Sequence, residues 1–233
     1  PTLGAPPPRA GACDGCADAG ADTVVPDLLD PPNFDPGPCS VDGWCWVMPE
    51  AQANALNGIW GSSAADIYAV GDAFTIVHFD GSRWEIVAAG LPAGKSRLSY
   101  RAVWGFSASD LFVGGDEGAL LHFDGKRWRS HGAWPQGSLP GSVHGLWGSS
   151  RTALFAVGDG GVILRFDGTA WSERQSPTQN TLLDVWGFSA SEVLAVGEHG
   201  TIVRLEGSSW QVMGAGTQEQ INAGVGLTQN AGY

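Results

Sequence analysis

No run of apolar residues in this chain approaches the roughly 18 needed to cross a bilayer as a helix. Positive charge is also scarce. Twelve Lys and Arg stand against 24 Asp and Glu, a formal net charge of −12, and the densest basic cluster is Lys126-Arg127-Trp128-Arg129. Nucleic acid and anionic membrane both demand a positive footprint, so neither is expected as a partner. Apolar residues never recur at helical spacing over a long segment, and 35 glycines with 14 prolines are too many for a helical protein. Motifs of catalysis are missing too. The chain contains no Gly-x-Ser-x-Gly, no His-Glu-x-x-His and no phosphate loop. The few Arg and three Tyr (Tyr68, Tyr100, Tyr233) show no arrangement suited to sialidase chemistry. A non-enzymatic role is the expectation.

Cysteine is absent after residue 45. Cys13, Cys16, Cys39 and Cys45 all lie in the opening segment, where disulfides such as Cys13–Cys16 and Cys39–Cys45 are favoured, although three pairings exist. A zinc site using the Cys13-x-x-Cys16 spacing and free thiols are the alternatives. Residues 1–42 are rich in Pro, Gly and Asp and cannot build a packed core, so they read as an extended acidic tail. Asp14, Asp18, Asp22, Asp27, Asp30 and Asp35 do not form a calcium loop, because its glycine and terminal Glu are lacking. The start at Pro1 suggests a processed or trimmed chain. With charged residues at only 15%, the composition suits an exported protein, at the cell surface, outside the cell or in the periplasm.

What the chain does have is one sentence written four times. In Trp60–Trp84, Trp104–Trp128, Trp147–Trp171 and Trp186–Trp210 the two tryptophans stand 24 residues apart, whereas from one copy to the next the separation is 20, 19 and 15. A constant core with elastic connectors marks a supersecondary unit stacked on itself. In the second copy, Arg101–Gly105 predicts a first strand and Phe106–Asp110 a turn. Leu111–Gly115 predicts a second strand and Asp116–Gly118 a hairpin. Ala119–Phe123 is a third strand, Asp124-Gly125 a hairpin signal, and Trp128 opens a fourth strand. Four short antiparallel strands per unit, repeated, predict an all-β fold: a β-propeller of four-stranded blades over residues 43–226. The eight repeat tryptophans are read as core. Each can bury roughly 150–250 Å², a gross transfer energy of about 4–6 kcal/mol.

Partial blades are expected at both ends. Trp44-Cys45-Trp46-Val47-Met48 reads as a last strand, and Ile221–Gly226 falls where another first strand should begin, with Val225-Gly226 in place of Trp-Gly. Residues 227–233 are a tail or the start of an incomplete blade. The chain is then a fragment of a larger propeller, a small closed ring of four or five blades, or a sheet that a second chain completes.

The repeat Val-Trp-Gly-(Ser/Phe)-Ser-Ala-Ser-Asp … Ala-Val-Gly-Asp-x-Gly-x-Ile … Phe-Asp-Gly-x-x-Trp resembles a tandem repeat of bacterial secreted proteins and lipoproteins. The resemblance covers about 180 residues, from 43 to roughly 226. It implies a propeller and export, and it implies no known activity. A more distant likeness runs to the Asp-box repeats of sialidase-like propellers and to photosystem assembly-factor propellers, although the spacing in Phe79-Asp-Gly-Ser-Arg-Trp84 differs from their turn motif.

Function in such a fold is expected on the face of the variable connectors. Asp72, Asp116, Asp159 and Glu198 occupy one hairpin position there, joined by connector residues Arg97, Tyr100, His131, Trp134 and Gln136. The acids either ring an opening, holding calcium or polyol hydroxyls, or each caps its own hairpin. No other cofactor and no other metal is expected. His78, His122, Arg165 and Arg204 share a third-strand position two residues before Asp80, Asp124, Asp167 and Glu206, which suggests local ion pairs rather than a metal ring. Three functions fit: a lectin-like or protein-binding module, an assembly subunit forming a homo-oligomer or larger complex by its tail and end strands, and a degenerate glycosidase-like propeller.

Overall fold

The computed structural model describes residues 54–87, 98–131, 141–214 and 216–223. The four cysteines, the tail, the strand expected at Trp44–Met48 and residues 227–233 lie outside them, as do Arg97, Trp134 and Gln136. The described residues belong to a compact unit beginning at Gln52.

Among the described residues, sixteen strands form four antiparallel sheets, each with its strands in chain order: four blades of a β-propeller. Blade 1 comprises β1 (Leu56–Ser63), β2 (Asp66–Gly71), β3 (Thr75–Phe79) and β4 (Trp84–Ile86). Blade 2 comprises β5 (Tyr100–Ser107), β6 (Asp110–Gly115), β7 (Leu120–Phe123) and β8 (Trp128–Ser130). Blade 3 comprises β9 (Val143–Ser150), β10 (Ala153–Gly158), β11 (Ile163–Phe166) and β12 (Trp171–Glu173). Blade 4 comprises β13 (Leu182–Ser189), β14 (Glu192–Gly197), β15 (Thr201–Glu206) and β16 (Ser209–Gly214). First strands are neighbours in the order β1, β5, β9, β13 and form the inner wall.

The first strands are longer than the repeat suggested. In blade 2, β5 runs on through Phe106 and Ser107, leaving a two-residue turn where five residues were expected. The extra length comes from two bulges at equivalent places in every first strand. Asn57, Arg101, His144 and Leu183 are each skipped in the pairing with the second strand, and so are Ser62, Phe106, Ser149 and Phe188. An extra residue breaks the two-residue alternation and re-aims its own side chain.

Between blades the core is continuous. Phe112, Leu120, Leu146, Leu154, Leu164 and Trp171 form a cluster joining blades 2 and 3, and Trp147, Phe155, Val185, Val203 and Trp210 one joining blades 3 and 4. The first-strand tryptophans descend from blade to blade, with ring centroids 6.2 Å apart for Trp104–Trp147 and 6.3 Å for Trp147–Trp186. A glycine seats the ring from the preceding blade. A Cβ at Gly105 would lie 2.7 Å from the Trp60 ring, and one at Gly187 2.8 Å from the Trp147 ring.

Candidate binding face

Each second strand ends in a single 3₁₀ turn headed by the repeated acid: Asp72, Asp116, Asp159 or Glu198. The amide of each acid donates to the carbonyl just before its own first strand, at Ala55, Ser99, Ser142 and Thr181 (2.9–3.1 Å). The aspartate side chains continue that clip. Ser99 N and Arg101 Nε donate to the two oxygens of Asp116, at 2.8 and 2.6 Å. Ser142 N and His144 Nε2 do the same for Asp159, at 2.8 and 2.6 Å. Asp72 accepts from Asn57 Nδ2 at 3.1 Å and from Ser99 Oγ of the next blade at 2.8 Å. These carboxylates therefore do not cap their own hairpins, as one sequence reading held. They latch each hairpin to the strand that enters the blade. Hydrogen bonds from Asn57 and Ser99 hold the Asp72 carboxyl below its ordinary range. Burial pushes Asp159 up, but the Ser142 amide and His144 more than offset it, and its carboxyl is net lowered.

Those contacts leave the acids apart. Among the described residues, no group of three His, Cys, Asp or Glu side chains comes together as a cation site. Tyr100 is not a surface residue: it is buried, packs its ring 4.8 Å from Phe74, and has its hydroxyl pushed up to about 12 by burial. Burial also lowers the pKa of His131, which is half-buried with its ring against Phe112, His122 and Phe166.

The third-strand histidines find partners across the sheet. His78 Nε2 meets Asp66 Oδ1 and His122 Nε2 meets Asp110 Oδ1, both at 2.7 Å, with the imidazoles stacked on Tyr68 and Phe112. The expected pairing with Asp80 and Asp124 is replaced because those acids hold the next hairpin: Asp80 accepts from the amides of Ser82 and Arg83, Asp124 from those of Lys126 and Arg127. In blade 3 Ala153 stands where the acid would be, and Arg165 lies over the Phe155 ring at 5.9 Å. Arg151, from the β9–β10 turn, reaches back to Asp110 at 3.0 Å and ties blade 3 to blade 2.

What the repeat does bring together is an axial cleft of about 270 Å³. Its wall is made of 57–59, 101–103, 144–146 and 183–184 from the four first strands, with Asn222 and Ala223 beside them. The bulge residues Asn57, Arg101, His144 and Leu183 stand at its rim, where the broken alternation aims them. Each first strand is the edge of its sheet, so one row of backbone N–H and C=O groups in every blade faces away from the second strand. The cleft is thus lined by edge strands and by Asn57, Arg101 and His144, which the hairpin aspartates hold in place, over small residues at Gly58, Ala102 and Gly145. Sequence reasoning passed over Asn57, Arg101, His144, Asp66 and Asp110. The signal available for the last two was an acid at one repeat position in three of the four copies, Asp66, Asp110 and Glu192, with Ala153 in the other.

No protein-family model matches the chain, and no curated protein matches it significantly. Solved structures do. "YCF48 bound to D1 peptide" is similar with a TM-score of 0.56 at 19% identity, over 71% of this chain and 55% of that one. YCF48 from Cyanidioschyzon merolae is similar with a TM-score of 0.57 at 19% identity, over 71% of this chain and 58% of that one. The computationally designed Ika4 protein is similar with a TM-score of 0.51 at 14% identity, over 72% of this chain and 96% of that one. The chain thus matches little more than half the length of the YCF48 chains. The likeness to these solved structures supports the β-propeller fold.

Proposed function

We propose that this is an exported, non-catalytic binding module that holds an extended segment of a partner protein at the axial cleft. The observation that carries the reading is the cleft wall: the edge strands of four sheets side by side, rimmed by Asn57, Arg101 and His144. An extended polypeptide can pair its own backbone with such edges and be selected by the rim. A neighbour of the same fold has been solved with a peptide bound, which supports a protein over a glycan as partner. The repeat offers less to sugars. Three of the repeated acids are engaged internally, and Trp147, Trp171 and Trp210 are buried. Export rests on the composition and the early cysteines.

The test is binding of a library of extended peptides, read by fluorescence anisotropy, with a glycan array in parallel. Selected peptides should lose about tenfold or more in affinity on Arg101→Ala and on Asn222→Trp, which narrows the cleft mouth, while thermal unfolding stays cooperative. Glycan binding that neither substitution alters would sink the proposal.

A further inference from the structure

Blade 4 carries a sheet face that the other blades bury. Tyr68, Val70 and Ile76 of blade 1, and Phe155, Val157 and Ile163 of blade 3, are sealed by the blade that follows. Their counterparts Leu194, Val196 and Ile202 are only half-buried, and on the same face Phe188 and Met213 are 42% and 41% exposed. Phe188 is the bulge residue equivalent to Phe106, whose ring packs where a Cβ at Gly148 of the next blade would be.

The chain leaving blade 4 repeats the path it takes from blade 3 into blade 4. Thr178 Oγ1 accepts from Asn180 N at 3.1 Å, and Thr217 Oγ1 accepts from Glu219 N at 3.0 Å. Gly161 backs onto the Thr178 carbonyl as Gly200 backs onto that of Thr217: an added Cβ would stand 2.3 and 2.1 Å away. Ile221 N then donates to Gly197 O at 3.0 Å. Asn222 and Ala223 take a place in the axial cleft beside the four first strands. The sequence keeps the register, since Thr178-Gln-Asn-Thr-Leu182 aligns with Thr217-Gln-Glu-Gln-Ile221. Gly226 then matches Gly187, the seat of the Trp147 ring.

From this continuity we propose that the free face of blade 4 is the seat of a fifth blade of the same repeat, whose first strand begins at Ile221 of this chain. The face is then a blade-to-blade interface. Peptide capture at the cleft is a separate matter, and either proposal can fail without the other.

Hydrogen–deuterium exchange of the full chain, read on peptides covering 217–228, tests it. Amides of 221–226 should exchange at least about tenfold slower than in an open chain. That protection should be independent of protein concentration and be lost on Phe188→Asp, while β9 and β10 keep theirs. Gly226→Val should remove it as well. Open-chain exchange at 221–226 would overturn the proposal. So would protection that vanishes on dilution together with a dimer seen by light scattering, because a second copy would then be the occupant.

Discussion

At the scale of single residues, the repeat assigns its acids to two structural tasks. The hairpin aspartates hold their own turns. Side-chain and backbone donors at Ser82 and Arg83 lower Asp80 to about 2, and backbone donors at Arg127 and Lys126 lower Asp124 to about 2, helped by Arg129. A carboxylate depressed in the folded state stabilises the fold above its unfolded pKa near 4 and loses that contribution as pH falls toward its folded value. Replacing both by Asn, which keeps an acceptor and loses the charge, should therefore lower the thermal midpoint at pH 7. The difference should narrow between about pH 4 and pH 2 and be gone below it. A constant gap across that range would mean that the charge contributes nothing. A second expectation concerns the 3₁₀ turns, where His199 sits at φ 54° and blade 3 has Gly160 at φ 63°. The left-handed region costs a non-glycine residue about 1 kcal/mol, partly offset by the greater freedom of glycine when unfolded. His199→Gly should raise the thermal midpoint by a degree or two. A fall would show that the imidazole makes a contact worth more than the strain. The pairing of His78 and His122 was misread from sequence because proximity was sought along the strand, whereas Asp66 and Asp110 lie across it.

At the scale of the strand and the blade, spacing carried most of the fold. Trp84, Trp128 and Trp171 open fourth strands as their place in the repeat predicts, and each Asp-Gly pair among the described residues marks a hairpin. The bulges escaped notice because nothing in the residue types announces them: Asn57, Arg101, His144 and Leu183 share a place and no chemistry. The cleft was hidden for the same reason, since it is assembled from four unlike residues at one repeat position. The first-strand glycines were legible as a pattern, and the structure supplies their reason. At Gly187 a Cβ would meet Trp147 at 2.8 Å and the Glu192 carbonyl at 2.6 Å. Neither the backbone nor the indole can yield cheaply, so Gly187→Ala should cost about 1–3 kcal/mol in denaturant unfolding. Gly207 has open space around its Cβ position at φ 64°, so Gly207→Ala isolates the backbone cost alone. Equal losses at the two sites would mean that close approach of the tryptophan is not what requires glycine at 187.

At the scale of the whole propeller, stability is a sum over neighbours. A blade in the middle of the row is covered on both faces, and a blade at either end leans on one. Ile59 of β1 is 69% exposed, whereas its equivalents Val103, Leu146 and Val185 are 7%, 6% and 3% exposed. Blade 3 has the best-sealed strand: all six residues of β10 are buried, between the two core clusters that join it to blades 2 and 4. Arg151 adds a polar tie to blade 2 through Asp110, although a partly exposed pair contributes only about 0–1 kcal/mol. Opening should therefore begin at the outer strands of the end blades and reach the centre last. Amide exchange should be slowest in β10 and β11, intermediate in β6 and β14, and fastest in β4. Leu154→Ala, in β10, removes a fully buried side chain shared by blades 2 and 3 and should cost about 2–5 kcal/mol. Because that interface couples the two halves of the row, the loss should split unfolding into two transitions, with blades 1 and 2 separating from blades 3 and 4. A single transition shifted to lower denaturant would instead show that the four blades fold as one cooperative body despite the break.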